Sequence, residues 1–344
     1  MTTFPDELTT YFATNRNYRS GAFGNDFGDG DPRLFRVGEA QVIRQGGVWT
    51  LGEARPYPER SRRAPENARA EREWTLLGSE TGFEAMRAAG LSGETSDILV
   101  FIHGAANSFA SAAETLALMT ELYSDTDRPY CPFFFSYPTN GASDPSNYFA
   151  DRDDARLSGI AMARAFGRLV SYLAKRQIEE GCGQRVHLLA HSLGNFALRM
   201  AVEAIFANPA FRRIRLFDTV ILAHADDDED TLDNADKMRD LTRLTDDIVV
   251  YHDRGDKLLR LSDTVHRDRL GQKGPVPYPG VEVNGCRIAA VDCAGVEFDR
   301  VPDPQRHRHY LQSSAVIDDI RAVLRSETPP GRIPVDGREG HFRL

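Results

Sequence analysis

Leu188-Leu189-Ala190-His191-Ser192-Leu193-Gly194-Asn195 is the stretch on which the fold turns. An apolar run ends at a small residue; a serine follows, then a glycine, then a helix-forming segment. That order puts a serine on a sharp strand-to-helix turn, the context of the G-x-S-x-G nucleophile elbow. Crowding sets the pattern, because the residues two before and two after the serine must be nearly free of side chain. Here they are Ala190 and Gly194, so alanine replaces the first glycine. Such a turn exposes the Ser192 hydroxyl and aims the Leu193 amide at an oxygen that becomes negative during acyl transfer. A serine that merely caps a helix after a strand needs no such small flanks.

Upstream, residues 98–102 form a continuous apolar run, the mark of a strand buried on both faces. The run leads into His103-Gly104-Ala105-Ala106-Asn107-Ser108-Phe109. A His-Gly step at this place, upstream of the serine turn, fits a second oxyanion donor, here the amide of Ala105. The pattern predicts helices over 83–89, 111–123, 156–176, 195–207 and 314–325. Between them it predicts strands over 133–136, 185–190, 217–223, 248–251 and 288–291. This alternation gives an α/β fold, a mostly parallel central sheet with helices on both faces. Before residue 80 the pattern differs, with strands expected over 11–14, 33–37 and 74–77, a Gly/Asp/Asn loop over 21–31 and a charged stretch over 59–73. These N-terminal strands are expected to extend the main sheet in antiparallel fashion. Residues 1–328 are thus expected to form a single domain, with 1–80 its strand-rich extension. The Pro-, Gly- and charge-rich segment 329–344 reads as a loosely held tail.

A serine on such an elbow works with an acid and a histidine that follow it in that order. Two carboxylate turns lie beyond the elbow: Ala223-His224-Ala225-Asp226-Asp227-Asp228-Glu229-Asp230 and Tyr251-His252-Asp253-Arg254-Gly255-Asp256-Lys257-Leu258. Asp256 is the better candidate, a single carboxylate in a tight glycine turn ahead of an apolar helix start. The Asp226 run reads as a solvated loop or helix N-terminus, and it lacks the spacing of a calcium loop. The late histidines are His307 and His309, apart from His341 in the tail, and either of the two could be the base. His187, His224, His252 and His266 read as structural or surface residues, and none belongs to a zinc pattern.

Composition narrows the partners. The chain has 344 residues, 41% of them hydrophobic, and a net charge of −9. An acidic chain without a basic cluster is poorly suited to nucleic acid. No apolar stretch approaches the ~20 residues of a membrane span. The N-terminus lacks a basic start followed by an apolar run, so a soluble cytoplasmic protein is expected. The 4 cysteines show no paired spacing. Cys286 and Cys293 could meet, but free buried thiols are the expectation.

On these residues the chain resembles a bacterial, esterase/lipase-like branch of the α/β-hydrolase superfamily whose domain has no assigned function. The resemblance spans about residues 10 to 325. It rests on Phe12-Ala13-Thr14-Asn15-Arg16, Val100 to Phe109, Phe135-Ser136-Tyr137-Pro138 with Tyr148 and Asp151, Ala190 to Asn195, and Gly255-Asp256-Lys257-Leu258. It implies that His307, placed ahead of Ala315-Val316-Ile317, is the late histidine. Two departures stand out. Ala105 replaces an aromatic and widens the acyl pocket, and His309 replaces a tyrosine, as a wall or substrate contact. The resemblance implies a serine hydrolase acting on a small-molecule ester or related acyl bond, without metal or cofactor, and leaves the substrate and oligomeric state open. A non-catalytic binding or scaffold protein of the same fold has no reason to keep three triad partners. An acyltransferase would use the same serine.

Overall fold

The computed structural model describes residues 4–58, 78–90, 97–125, 129–141, 145–180, 184–207, 215–266, 268–275 and 282–344. The chain opens with β1 (Glu7–Thr14), β2 (Arg16–Arg19), β3 (Ala22–Phe27), β4 (Arg36–Gln45) and β5 (Val48–Pro56). Alternation then begins: α1 (Gly78–Gly90), β6 (Ile98–Ile102), α2 (Phe109–Tyr123), β7 (Cys131–Ser136), α3 (Pro145–Glu180), β8 (Val186–His191) and α4 (Leu193–Ala207). It continues with β9 (Phe217–Ala223), β10 (Thr245–His252), α5 (Lys257–His266), α6 (Leu270–Lys273), β11 (Glu282–Val283) and β12 (Cys286–Asp292). The last elements are α7 (His309–Gln312), α8 (Ser314–Leu324), β13 (Ile333–Val335) and β14 (Arg338–Arg343).

The central strands read as unbroken apolar runs because both of their faces are covered. In β6, Ile98, Val100 and Ile102 enter one core, and Leu99 and Phe101 enter the other. In β7, Phe133 and Phe135 oppose Phe134 in the same way. Helices α1, α3 and α4 pack into the first core, α2 and α8 into the second. Each large side chain so buried contributes about 1.5–3 kcal/mol.

The strands form a 12-stranded sheet in the order β13-β14-β12-β10-β9-β8-β6-β7-β1-β4-β5, with β11 on β12. Every pairing from β14 to β1 is parallel. The edges at β4, β5, β11 and β13 are antiparallel. The expected α/β architecture is therefore present, and β1 attaches the N-terminal strands to the main sheet. The topology also places a crevice. β6 and β8 are neighbours, but the chain leaves β6 toward β7 on one side and β8 toward β9 on the other. Ligands of open parallel sheets bind outside the carboxyl ends of strands at such a switch point.

Several expectations need correction. The segment 21–31, expected as a loop, contains β3, paired with β2. Ser20 and Gly21, at φ 52° and 83°, form the two-residue turn that closes this hairpin. Of the strand expected over 33–37 only Arg36 and Val37 belong to β4. The expected strand over 74–77 and the charged stretch 59–73 lie outside the described residues. The helix expected over 156–176 begins earlier, at Pro145. As expected, Cys131, Cys286 and Cys293 are free and buried. Among the described residues no helix is long and apolar enough to cross a membrane.

The largest correction concerns the C-terminal segment. Far from loose, it adds β13 and β14 to the sheet, with β14 parallel to β12. Its anchor is Arg332, whose Nε and Nη2 donate to Asp319 at 2.8 and 2.7 Å. Asp319 is fully buried in α8 and also accepts the Tyr251 hydroxyl at 2.5 Å. Removing one partner of a buried pair leaves an uncompensated charge, which costs about 3–5 kcal/mol. Arg332→Ala is therefore expected to lower the unfolding free energy by about that amount in urea titration. A loosely held tail would leave the midpoint unchanged.

Candidate active site

Ser192 joins β8 to α4 at φ 54°, in the left-handed region that non-glycine residues avoid. Its backbone is held on three sides. Its amide donates to Ala223 O, and its carbonyl accepts from the amides of Asn195 and Asp226, each at 3.0 Å. The crowding expected from the sequence is present. A Cβ at Gly194 would lie 2.6 Å from both Ile102 O, the end of β6, and His103 O just after it. A Cβ at Gly104 would lie 2.9 Å from Ser192 Cβ, so the His-Gly loop passes directly beside the serine. Ser192 itself is half-buried between buried neighbours. Among the described residues its hydroxyl makes no hydrogen bond, and the amides of Leu193 and Ala105 donate to no protein acceptor.

The loop after β6 is fixed from behind. Fully buried His103 stacks on Tyr137 at 4.4 Å, with Nε2 3.1 Å from Ser136 Oγ. Burial, aided by the nearby Arg16, pushes its pKa down to about 3, so it is a neutral structural residue. Arg16, also fully buried, donates to Ser136 Oγ at 2.8 Å and to Asn107 O at 2.7 Å. Asp151 of α3 accepts the amide of Ala106 at 2.8 Å, where the backbone takes φ 57°. The Phe12-to-Arg16 and Asp151 positions noted in the sequence thus shape the loop that carries Ala105.

Asp256 and His307 meet, while His309 goes elsewhere. His307 Nδ1 lies 2.6 Å from Asp256 Oδ2. An ionised carboxylate only accepts, so the ring nitrogen is the donor. Asp256 is also the N-cap of α5, its Oδ1 accepting the amides of Leu258 and Leu259 at 3.0 Å each. Burial opposes the charge, but His307 and His224 hold its pKa well below the usual carboxylate range. The loop bearing His307 is tied by Asp303, whose Oδ2 accepts the amides of His307 and Arg308. His307 also packs against the elbow: its carbonyl lies 3.1 Å from His191 Nε2, and the two rings are 4.7 Å apart.

His224 is the participant that sequence reading missed. Expected as a structural or surface residue, it is fully buried with Nδ1 2.9 Å from the same Asp256 Oδ2. Its Nε2 lies 3.0 Å from His309 Nδ1, and the two rings stack 4.9 Å apart at 5°. His309, expected to line the cleft, is instead fully buried behind Asp256. Burial first, then His224 and Arg306, depress its pKa to about 2, so it stays neutral. The divergence arises because His309 begins α7, whereas the preceding loop carries Arg306 at φ 56°. The one available signal for His224 was its place directly after a buried strand, two residues before the acidic run.

Asp226, the rival acid, is not in a solvated loop. It is buried and accepts from Tyr148 at 2.8 Å and Ser262 at 2.7 Å, and among the described residues no histidine bonds it. Asp227 beside it is buried too, with Thr231 at 2.8 Å and Arg199 at 3.2 Å. The run is therefore a buried polar network, a role that charge density alone does not reveal. Among the described residues, the donors that could hold a metal ion are His224, Asp256 and His307, within 4.8 Å of one another. Their convergence is already accounted for by two N–H donors on one carboxylate oxygen.

Comparison with known proteins bears on the fold. A family model described as "Alpha/beta hydrolase of unknown function (DUF900)" matches residues 83–325. No curated protein matches the chain. Among solved structures it is similar to an acylaminoacyl peptidase of Pyrococcus horikoshii (orthorhombic crystal form), at 10% identity and a TM-score of 0.32. The match covers 88% of this chain and 49% of that one, so the chain spans about half the peptidase's length.

The elbow's tightness is testable without any substrate. Gly194→Ala must push β6 backbone away, and overpacking of this kind typically costs about 1–3 kcal/mol. Thermal unfolding should show the loss, and an unchanged melting temperature would mean that the turn has room to spare.

Proposed function

The chain belongs to this family of α/β hydrolases, and from that premise we propose that it is a serine hydrolase cleaving a carboxylic ester or related acyl bond. Ser192 is the nucleophile, His307 the base and Asp256 the acid. The observation that supports this most is the convergence at one switch point: a half-buried serine held at φ 54° between two unoccupied amides, with a carboxylate-bound imidazole packed on the elbow.

The roles follow from the hydrogen-bond directions. With Nδ1–H donating to Asp256, His307 presents an unprotonated Nε2, the form that accepts a proton. Ser192 Oγ attacks the acyl carbon while its proton passes to that nitrogen. The amides of Leu193 and Ala105 stabilise the resulting oxyanion. Asp256 steadies the imidazolium, and the imidazolium then protonates the departing alcohol. Water attacks the acyl-enzyme with the same histidine as base, releasing the acid and restoring the serine. Substrate closes the Ser192–His307 contact, since catalytic hydrogen bonds often tighten only in the complex.

Labelling with a fluorophosphonate probe followed by peptide mass mapping tests the nucleophile. Modification is expected at Ser192 alone, and Ser192→Ala should lose labelling and roughly 10⁴- to 10⁶-fold in turnover of short nitrophenyl esters. Turnover that survives the substitution removes Ser192 from the reaction.

The two late histidines should separate. His307→Ala is expected to lower kcat by a comparable factor, about 10⁴ or more. His309→Ala touches the acid only through His224 and should keep most of kcat. The reverse ranking in steady-state kinetics would assign the base to His309.

A further inference from the structure

Among α3, α4 and α5 lies a cleft of ≈ 510 Å³, lined among others by Arg152 and Arg156 of α3, Phe196 and Arg199 of α4, Asp228, and His266 of α5. Most charges in it are matched. Arg199 bonds Glu203 at 3.0 Å, Asp227 at 3.2 Å and Asp228 at 3.3 Å. Arg156 pairs with Asp153 at 2.9 Å. Asp228 is held by Lys237 at 2.9 Å and by Arg269. Arg152 is the exception. It is 9% exposed, its guanidinium carbon lies 3.8 Å from the centre of the Phe196 ring, and its Nη1 is shielded from solvent without a partner. Among the described residues no carboxylate pairs with it. His266 supplies a second buried polar atom without a partner, Nε2.

An arginine left this way is unfavourable, because a buried charge without a counter-ion loses hydration and gains nothing in return. Arg16, Arg269 and Arg332 show how this fold treats its other buried arginines, giving them carbonyls or carboxylates. Arg152 instead lies over an aromatic face. Stacking of that kind holds the plane of the guanidinium and leaves its edge free for a forked pair of bonds to an anionic oxygen group.

The cleft is linked to the serine turn through α4 and through one chain of hydrogen bonds from α3. Phe196 is one helical turn beyond Ser192 on α4. Tyr148, one turn before Arg152 on α3, donates to Asp226, whose amide donates to the Ser192 carbonyl. Asp151, next to Arg152, holds the loop that carries Ala105.

We propose that this cleft is a subsite for an anionic oxygen group of the substrate, a carboxylate or a phosphate, gripped by Arg152 with His266 Nε2 beside it. The preferred substrate is accordingly an acyl compound carrying a second, negatively charged group. That statement about the substrate rests on the serine-hydrolase reading; the capture of the anion does not.

Calorimetric titration of the protein with inorganic phosphate and with glutarate separates the two chemistries. One of these anions is expected to bind, and Arg152→Met should weaken it roughly tenfold to a hundredfold, the loss of charge-assisted hydrogen bonds. Arg152→Lys should fall between, since the charge remains while the fork and the stack are lost. Arg152→Met removes an unmatched buried charge, so it should melt at least as high as the parent without anion, and lost binding is then not lost folding. A second arm compares a nitrophenyl half-ester of glutarate with neutral nitrophenyl butyrate. The parent should favour the charged ester in kcat/KM, and Arg152→Met should erase the preference. Binding of neither anion, or equal binding by parent and Arg152→Met, overturns the subsite. Arg152-dependent binding without turnover of any ester supports the subsite and sinks the hydrolase reading. Turnover without anion binding does the opposite.

Discussion

The left-handed backbone at Ser192 is the constraint around which the rest is arranged. A non-glycine residue held there is disfavoured by about 1–3 kcal/mol. It persists because β6, β8 and β9 leave the chain no other path. Ala223 O and the amides of Asn195 and Asp226 fix the turn, and the carbonyls of Ile102 and His103 crowd the place where a larger residue than Gly194 would stand. Parallel pairing of β8 with β6 and β9 brings those groups together. The sheet's two cores supply the stabilisation that offsets the strained turn. Among the described residues, the serine hydroxyl and the amides of Leu193 and Ala105 have no hydrogen-bond partner in the protein.

Behind the serine, one carboxylate oxygen organises two imidazoles. Asp256 Oδ1 is committed to the start of α5, so the carboxylate plane cannot turn. Oδ2 then accepts from His307 on one side and His224 on the other. His309 Nδ1 lies 3.0 Å from the far nitrogen of His224 and continues the row behind Asp256. The shared oxygen and the committed Oδ1 limit the positions open to the His307 ring. Pre-organisation of this kind is the means by which a buried acid orients a base without taking its proton.

Buried charge is used sparingly and with partners, which makes the pattern informative. Arg16 ties the N-terminal strands to the loop after β6, and Arg332 ties the C-terminal strands to α8. Both ends of the chain are thereby fastened to the sheet through buried arginines, on opposite sides of the switch point. Arg152 has neither role; it stacks on Phe196, and among the described residues no carboxylate pairs with it.

The sequence by itself determined the α/β alternation, the elbow and the glycine step beside it. These are local: apolar runs of strand length, small residues at fixed offsets from Ser192, and turn residues ahead of a helix. Asp256 was legible for the same reason, since an N-cap acid in a glycine turn is a short-range pattern. The attachment of the N-terminal strands was also visible in outline, although the β2–β3 hairpin was hidden in a stretch that looked like a loop. Only the tertiary structure decided the rest. His224 lies 32 residues from Asp256 and 85 from His309, and no spacing rule links them. The C-terminal segment has the composition of a tail, yet a single ion pair to a buried aspartate in α8 brings it onto the sheet. The Asp226 run reads as solvated until Tyr148, Ser262 and Arg199 are folded over it. Whether a polar side chain is matched or alone depends on partners brought from distant parts of the chain, and that pairing exists only once the sheet has closed its neighbours around it.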